Sequence, residues 1–150
     1  MNTEEIDHIL SRGITRKFYR GTFPEDVDFH FTPPYCVVTN CDSHNGKGSH
    51  WNAWFVDESK IYFFDSYGRS PKDDTFPLTY KMFVKNRKFV YNPRIVEGMF
   101  STMCGQFCIY VLHFLCQGYE WKTIVDSFDN SVVTNDKKMK YFVTKLRKNL

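Results

Sequence analysis

The chain has 150 residues, of which 42% are hydrophobic and 18% aromatic, and a net charge of +3; this excludes a disordered or low-complexity polymer and fits one packed domain, 1–150. No apolar run reaches the roughly 20 residues of a bilayer span, because the longest is broken by His113 and Gln117. The acidic opening MNTEEIDHIL has neither the basic nor the apolar region of a secretion signal, so the expectation is a soluble protein, intracellular or packaged inside a particle, with no membrane partner.

In chain order, TEEIDHILSRG (3–13) predicts a short helix: Thr3 caps it, two glutamates suit its N-terminal dipole, Ile6, Ile9 and Leu10 share a face, and Gly13 stops it. GTFPEDVDFHFTPP (21–34) reads as a loop rich in Pro and Gly. PYCVVTN (34–40) is β-branched and apolar, hence a buried strand, and CDSHNGKGS (41–49) is a polar turn segment. HWNAWFVDESKIYFFDSYG (50–68) holds two aromatic-rich runs joined by the polar DESK, the pattern of a β-hairpin. FPLTYKMFVKNR (76–87) predicts an amphipathic helix, and KFVYNPRIVEG (88–98) a strand interrupted by Pro93. CGQFCIYVLHFLCQG (104–118) has the apolar density of a buried helix ended by Gly118; YEWKTIVDSF and DKKMKYFVTKLRKNL add further helices. This order predicts an α+β fold, with a central mixed sheet of about five strands flanked by helices.

A symmetric DESK loop pairs Asp57 with Lys60, and continuing that register brings Tyr67 opposite His50. Asp65 then shares the face of His50 at the diagonal position, roughly 7–8 Å away at the Cβ atoms, where a carboxylate reaches an imidazole. Asp65 would hold one ring nitrogen and turn the other toward a substrate or nucleophile. A slip of one residue would put the two on opposite faces.

The nucleophile candidate is Cys104. In STMCGQF a Ser/Thr-containing loop enters an apolar helix, and a thiol at a helix N-terminus has its thiolate stabilised by the helix dipole and the unpaired N–H groups. Gly105 permits close backbone approach, and the first-turn N–H groups suit a developing oxyanion. Cys108, one turn further in among Phe107, Ile109 and Val111, reads as core, as do Cys116, Cys36 and His113. Five cysteines, three of them in one helical segment, argue against a secreted disulfide framework. A metal site built from Cys36, Cys41, His44 and His50 has poor spacing, since only two residues separate Cys41 from His44; a zinc finger leaves about 12 there, so no metal is expected.

GSHWNAWFVDESKIYFFDSYG followed by STMCGQFCIYVLHFL resembles the adenovirus maturation protease (adenain) family, whose relatives occur in virophages and Maverick-type (Polinton) elements. The wider clan includes the Ulp-type SUMO proteases. The shared signature is His-Trp on a strand, an acid shortly before an aromatic-Gly pair on the next strand, and Cys-Gly-x-Phe at a helix start, in that order. The resemblance implies a cysteine endopeptidase with His50 as base, Asp65 as its orienting acid, Cys104 as nucleophile and Trp51 shaping the site. It implies virion precursor proteins as substrates, cut near small residues such as glycine, and action as a monomer within the host cell and the virion.

Two departures stand out. The family places a glutamine six or seven residues before the cysteine as an oxyanion donor, and without a gap Glu97 takes that place here. An ionised carboxylate only accepts hydrogen bonds, so Glu97 could substitute only when protonated; otherwise backbone N–H groups serve, Asn92 or Gln106 moves in, or Glu97 is displaced. Adenoviral relatives tether an activating viral peptide through a cysteine ahead of that glutamine and use DNA as a further cofactor. No cysteine lies between Cys41 and Cys104, so that tether is absent. No cofactor is required for the chemistry, while activation by a viral peptide or by DNA stays open. DNA would meet Lys137, Lys138, Lys140, Lys145, Arg147 and Lys148, six basic residues with no acid among the last fourteen; the rival meaning of that run is a solvated helix face. A Ulp-type isopeptidase, a non-enzymatic nucleic-acid or zinc-binding module, and an inactive relative remain as alternatives.

Overall fold

The β-branched and aromatic runs become the middle of a mixed sheet. The computed structural model describes residues 1–24, 29–40, 50–71 and 87–150. Its strands are β1 (Tyr19–Pro24), β2 (Tyr35–Asn40), β3 (Trp51–Val56), β4 (Lys60–Phe64) and β5 (Lys88–Tyr91), side by side in chain order. β1 and β5 run parallel to their neighbours β2 and β4, and β3 runs antiparallel to both β2 and β4. The turn segment expected over 41–49, and the helix expected over 76–87 apart from Arg87, lie outside the described residues.

β3 and β4 pair as the DESK loop requires: Asp57 donates its N–H to the Lys60 carbonyl at 3.0 Å, and Val56 faces Ile61 and Ala53 faces Phe64. The Asp57 carboxylate closes the turn by accepting from the Ser59 and Lys60 N–H groups. Because side chains alternate across the pleat, the sheet carries two cores. Tyr35, Val37, Trp54, Val56, Ile61 and Phe63 pack on one face. Cys36, Val38, Trp51, Ala53 and Phe64 pack on the other, against the helices.

Those helices are α1 (Thr3–Leu10), α2 (Cys104–Cys116), α3 (Trp121–Asp126) and α4 (Val132–Lys148), with a 3₁₀ turn at Ile14–Lys17. α2 lies across β3, and its apolar density follows from burial on nearly every side: Phe107, Cys108, Ile109, Val111 and Leu112 are fully buried. It stops at Cys116, with Gly118 at φ 88°, the left-handed conformation that glycine adopts without Cβ strain.

The structure corrects three local expectations. Asn2, not Thr3, caps α1: its side chain accepts from Glu5 N–H while the Glu5 carboxylate accepts from Asn2 N–H, each at 2.9 Å, a reciprocal capping box. The stretch read as loop from Gly21 contains most of β1. Its register against β2 shifts between Tyr19 and Thr22, where Gly21 takes φ 134°, so a bulge disguised the strand's alternation. Conversely, the strand read over 88–98 ends at Tyr91, because Asn92 folds its side chain onto Arg94, accepting from its N–H and donating to its carbonyl.

Candidate active site

β3 and β4 deliver an imidazole and a carboxylate to the same end of the sheet. Just before β3, His50 Nε2 lies 3.0 Å from Asp65 Oδ1, just past the end of β4. Tyr67 stacks on the imidazole with ring centroids 4.8 Å apart, as the hairpin register predicts for opposed positions. Asp65 is fully buried and satisfied on both oxygens: Oδ1 also accepts the Tyr67 N–H at 2.8 Å, and Oδ2 accepts Arg69 Nε–H at 2.9 Å. With its amide nitrogen turned toward the carboxylate, Asn52 donates to Oδ2 at 3.2 Å. Burial alone would raise the Asp65 pKa, but the hydrogen bond and charge of His50, the charge of Arg69 and the Tyr67 N–H together hold it below the usual value.

Cys104 opens α2 and is 8% exposed. Ligating atoms of His50, Glu97 and Cys104 all lie within 4.8 Å of one another. With Nε2 on Asp65, the imidazole also hydrogen-bonds the Cys104 side chain. Burial lowers the His50 pKa, but hydrogen bonds and charge from Asp65 and Cys104 outweigh it and push the imidazole up to about 9. The raised pKa makes His50 a proton carrier held beside the Cys104 sulfur.

Glu97 is not displaced: it is 1% exposed, inside the site. A close backbone approach puts it there. Gly68 sits at φ 72°, and a Cβ on it would lie 2.5 Å from the Pro93 carbonyl oxygen; only glycine lets segment 93–97 come so near the Asp65–Gly68 turn. Val96 and Glu97 then donate their N–H groups to the Ser66 carbonyl at 2.9 and 3.2 Å. The Glu97 carboxylate accepts the Ser66 hydroxyl at 2.5 Å and the Met103 N–H at 2.8 Å, tying down the loop that leads into Cys104. Burial raises its pKa, against the hydrogen bond of Ser66, the charge of His50 and hydrogen bonds from Met103 and Ser101. Of the other donors considered, Asn92 is committed to its own turn. Gln106 has its side-chain oxygen buried with no partner among the described residues.

Trp51 is buried beside the helix start. Its indole donates to the Met1 carbonyl at 3.1 Å, and its Cδ1 lies 3.4 Å from where a Gly105 Cβ would stand. The Met1 side chain fills the rest of that space, so Gly105 is needed for Met1 and Trp51 to close on α2.

Of the other cysteines, Cys36, Cys108 and Cys116 behave as packing groups, and Cys41 lies outside the described residues. Among the described residues no disulfide forms; Cys108 is fully buried, and Cys36 and Cys116 meet at 3.9 Å between sulfurs. The Cys116 thiol and burial push Cys36 well above the ordinary thiol range. His113 sits edge-on to Phe114 and Phe142, and burial lowers its pKa.

The basic residues of α4 do not reach this site as a cluster. Lys138 donates to the Ser127 carbonyl and lies over Tyr110, Lys145 lies over Tyr141, and Arg147 pairs with Glu5 at 3.7 Å. Lys137, Lys140, Lys145, Arg147 and Lys148 are exposed and Lys138 is half-buried, whereas Asn135, Met139 and Val143 form the buried face of α4.

No family model matches the chain. In sequence it is 26% identical over 124 residues to the protease of Bovine adenovirus 2, spanning 73% of this chain and 60% of that protein. It is 23% identical over 127 residues to the protease of Porcine adenovirus A serotype 3, spanning 74% and 62%. The chain is thus similar in sequence to adenovirus proteases. It spans about 60% of the length of the curated relatives it matches. Among solved structures, the ASFV pS273R protease superposes with a TM-score of 0.62 at 15% identity, covering 92% of this chain and 65% of that one. ChlaDub1 from Chlamydia trachomatis gives 0.56 at 14% identity, covering 76% and 59%. These two likenesses establish the fold: the chain shares the arrangement of both solved structures.

The sequence reading passed over Tyr67, Ser66, Asn52 and Arg69 as site residues. Tyr67 was nonetheless available, since the hairpin register that brings Asp65 to His50 also sets Tyr67 opposite it. Arg69 and Asn52 carry no signal beyond proximity to Asp65.

Proposed function

We propose that the chain is a cysteine endopeptidase working through Cys104, His50 and Asp65. The observation that carries this reading is the convergence of a buried, satisfied carboxylate, an imidazole and a thiol at the first turn of a buried helix. The Cys104 thiolate attacks a peptide carbonyl, forming a C–S bond and a tetrahedral oxyanion. The proton on His50 passes to the leaving amine as the C–N bond breaks. Water, deprotonated by His50, then attacks the thioester; the C–S bond breaks, releasing the acid and restoring the thiolate–imidazolium pair. Asp65 holds the ring in one tautomer throughout.

The oxyanion forms at the N-terminus of α2, where first-turn N–H groups point outward. Glu97 assists as a neutral acid, the form that burial favours, because only the protonated carboxyl donates. Substrates are virion precursor proteins cut near small residues such as glycine; Trp51 packed against the helix start leaves little width beside Gly105. The adenoviral proteins similar in sequence bear the name protease, which supports a viral peptidase; its place of work would be the host cell and the particle. DNA would act as an auxiliary through the exposed basic face of α4. No helix among the described residues is long and apolar enough to cross a membrane.

A Ulp-type isopeptidase uses the same triad. Purified protein incubated in parallel with a virion precursor containing Gly-rich sites and with a diglycine-ended modifier conjugate separates the two. The endopeptidase reading expects internal cuts in the precursor, lost in Cys104→Ala. Release of the modifier with an intact precursor would reassign the substrate class, and no cleavage of either would refute the activity.

A further inference from the structure

Glu97 gives the site a property that a neutral amide in its place would not. A thiol, an imidazole and a carboxylate, three of the side-chain types that bind zinc, have their ligating atoms within 4.8 Å of one another. We propose that His50, Glu97 and Cys104 bind a zinc-type divalent cation, which occupies the position of the reacting carbonyl and holds the enzyme inactive. The inhibitory consequence rests on the peptidase reading; the binding itself does not.

The environment is that of a metal site beyond its three ligands. Metal-bound histidines usually donate their second ring N–H to a carboxylate, which fixes the tautomer. His50 Nε2 already has Asp65 Oδ1 at 3.0 Å, so Nδ1 is presented to the cation. Glu97 is held by the Ser66 hydroxyl on one oxygen and the Met103 N–H on the other, with Ser101 bonding it as well; two carboxylate oxygens offer about four acceptor sites, so three bonds leave one for coordination.

With metal–ligand bonds of about 2.0–2.3 Å, tetrahedral ligands stand about 3.3–3.8 Å apart. Closing from at most 4.8 Å needs contractions of roughly 1 Å, within reach of side-chain rotation at Cys104 and Glu97. Thiolate and carboxylate together neutralise a dication, and solvent fills the fourth position at the slightly exposed sulfur. Soft sulfur with nitrogen selects zinc or cadmium over magnesium or calcium, which prefer all-oxygen shells.

The test uses the full chain, stripped with chelator and kept reduced. Zn²⁺ binding is followed by calorimetry, and Co²⁺ binding by the near-ultraviolet thiolate-to-cobalt charge-transfer band. The proposal expects one ion per chain, a band absent in Cys104→Ser, and at least about tenfold weaker binding in Glu97→Gln, comparable to or larger than the loss on removing an outer-shell partner. Circular dichroism of each variant confirms that it is folded, and Zn²⁺ should protect Cys104 from alkylation in the wild type more than in Glu97→Gln. Absence of stoichiometric binding, affinity unchanged in Glu97→Gln, or loss of binding in Cys41→Ser or His44→Ala instead would overturn it. These readouts stand whether or not a peptide substrate is found.

Discussion

Replacing Asp65 by Asn removes the charge that keeps His50 protonated. In the folded chain the imidazole is pushed up from 6.5 to about 9, a difference worth roughly 3 kcal/mol at about 1.4 kcal/mol per pKa unit. The His50 side chain is only 14% exposed, so little of this is lost to solvent screening. Because the folded pKa is the raised one, the stabilisation is fully present below pH 6.5 and disappears as pH rises through about 9. In Asp65→Asn the largest influence on His50, its burial, is opposed by Cys104 and the neighbouring Glu97 without the help of Asp65, and the midpoint should fall by about 2 units, toward the ordinary value. The assay is ¹⁵N–¹H NMR of the imidazole in chelator-treated protein from pH 5 to 10.5, paired with urea unfolding at the same pH values. Wild type should titrate near 9 and lose stability across that window more steeply than Asp65→Asn. A wild-type midpoint below 7, or a variant midpoint matching the wild type, would refute the coupling.

Further consequences can be checked singly. Glu97→Gln keeps an acceptor for Met103 N–H and a donor for Ser66 and removes a buried carboxylate, so activity on a peptide substrate at neutral pH should be retained or increased; complete loss contradicts the role given to Glu97. Gly68→Ala forces a Cβ to 2.5 Å from the Pro93 carbonyl oxygen at φ 72°, and left-handed strain alone costs about 1–2 kcal/mol. Thermal unfolding should therefore show a fall of at least about 3 °C, and an unchanged midpoint would mean that the Asp65–Gly68 turn and segment 93–97 are not so tightly packed. Cys108→Ala, inside the helical core, should lower stability by about 1 kcal/mol and leave thiol labelling at Cys104 intact. Labelling lost in Cys108→Ala and retained in Cys104→Ala would exchange their roles.

How far these conclusions were readable in advance depended on the range of the interaction. The hairpin was legible because DESK is a local turn and period-two alternation fixes the face of every following residue, so the encounter of His50 with Asp65 follows from one register. α2 was legible from apolar density closed by Gly118. β1 was not, because its pairing partner β2 lies beyond a connecting segment and Gly21 breaks the alternation. The seat of Glu97 was also hidden. Alignment to the glutamine of the resembling family located it near the site, but its bonds to Ser66 and Met103 depend on a long-range approach that only Gly68 permits. Arg147 illustrates the opposite case: one of the six residues in a basic run turns out to meet Glu5 of α1, a contact between chain ends that composition does not encode.

The most direct test is site-resolved labelling by a small peptide electrophile, read by mass spectrometry of digested protein, in wild type and His50→Ala. If Cys104 is the nucleophile and His50 its proton partner, one adduct forms at Cys104 and its rate drops at least about a hundredfold in His50→Ala, the scale of general-base assistance. Adducts spread over the cysteines according to exposure, with Cys116 ahead of Cys104 and no effect of His50→Ala, would contradict the account.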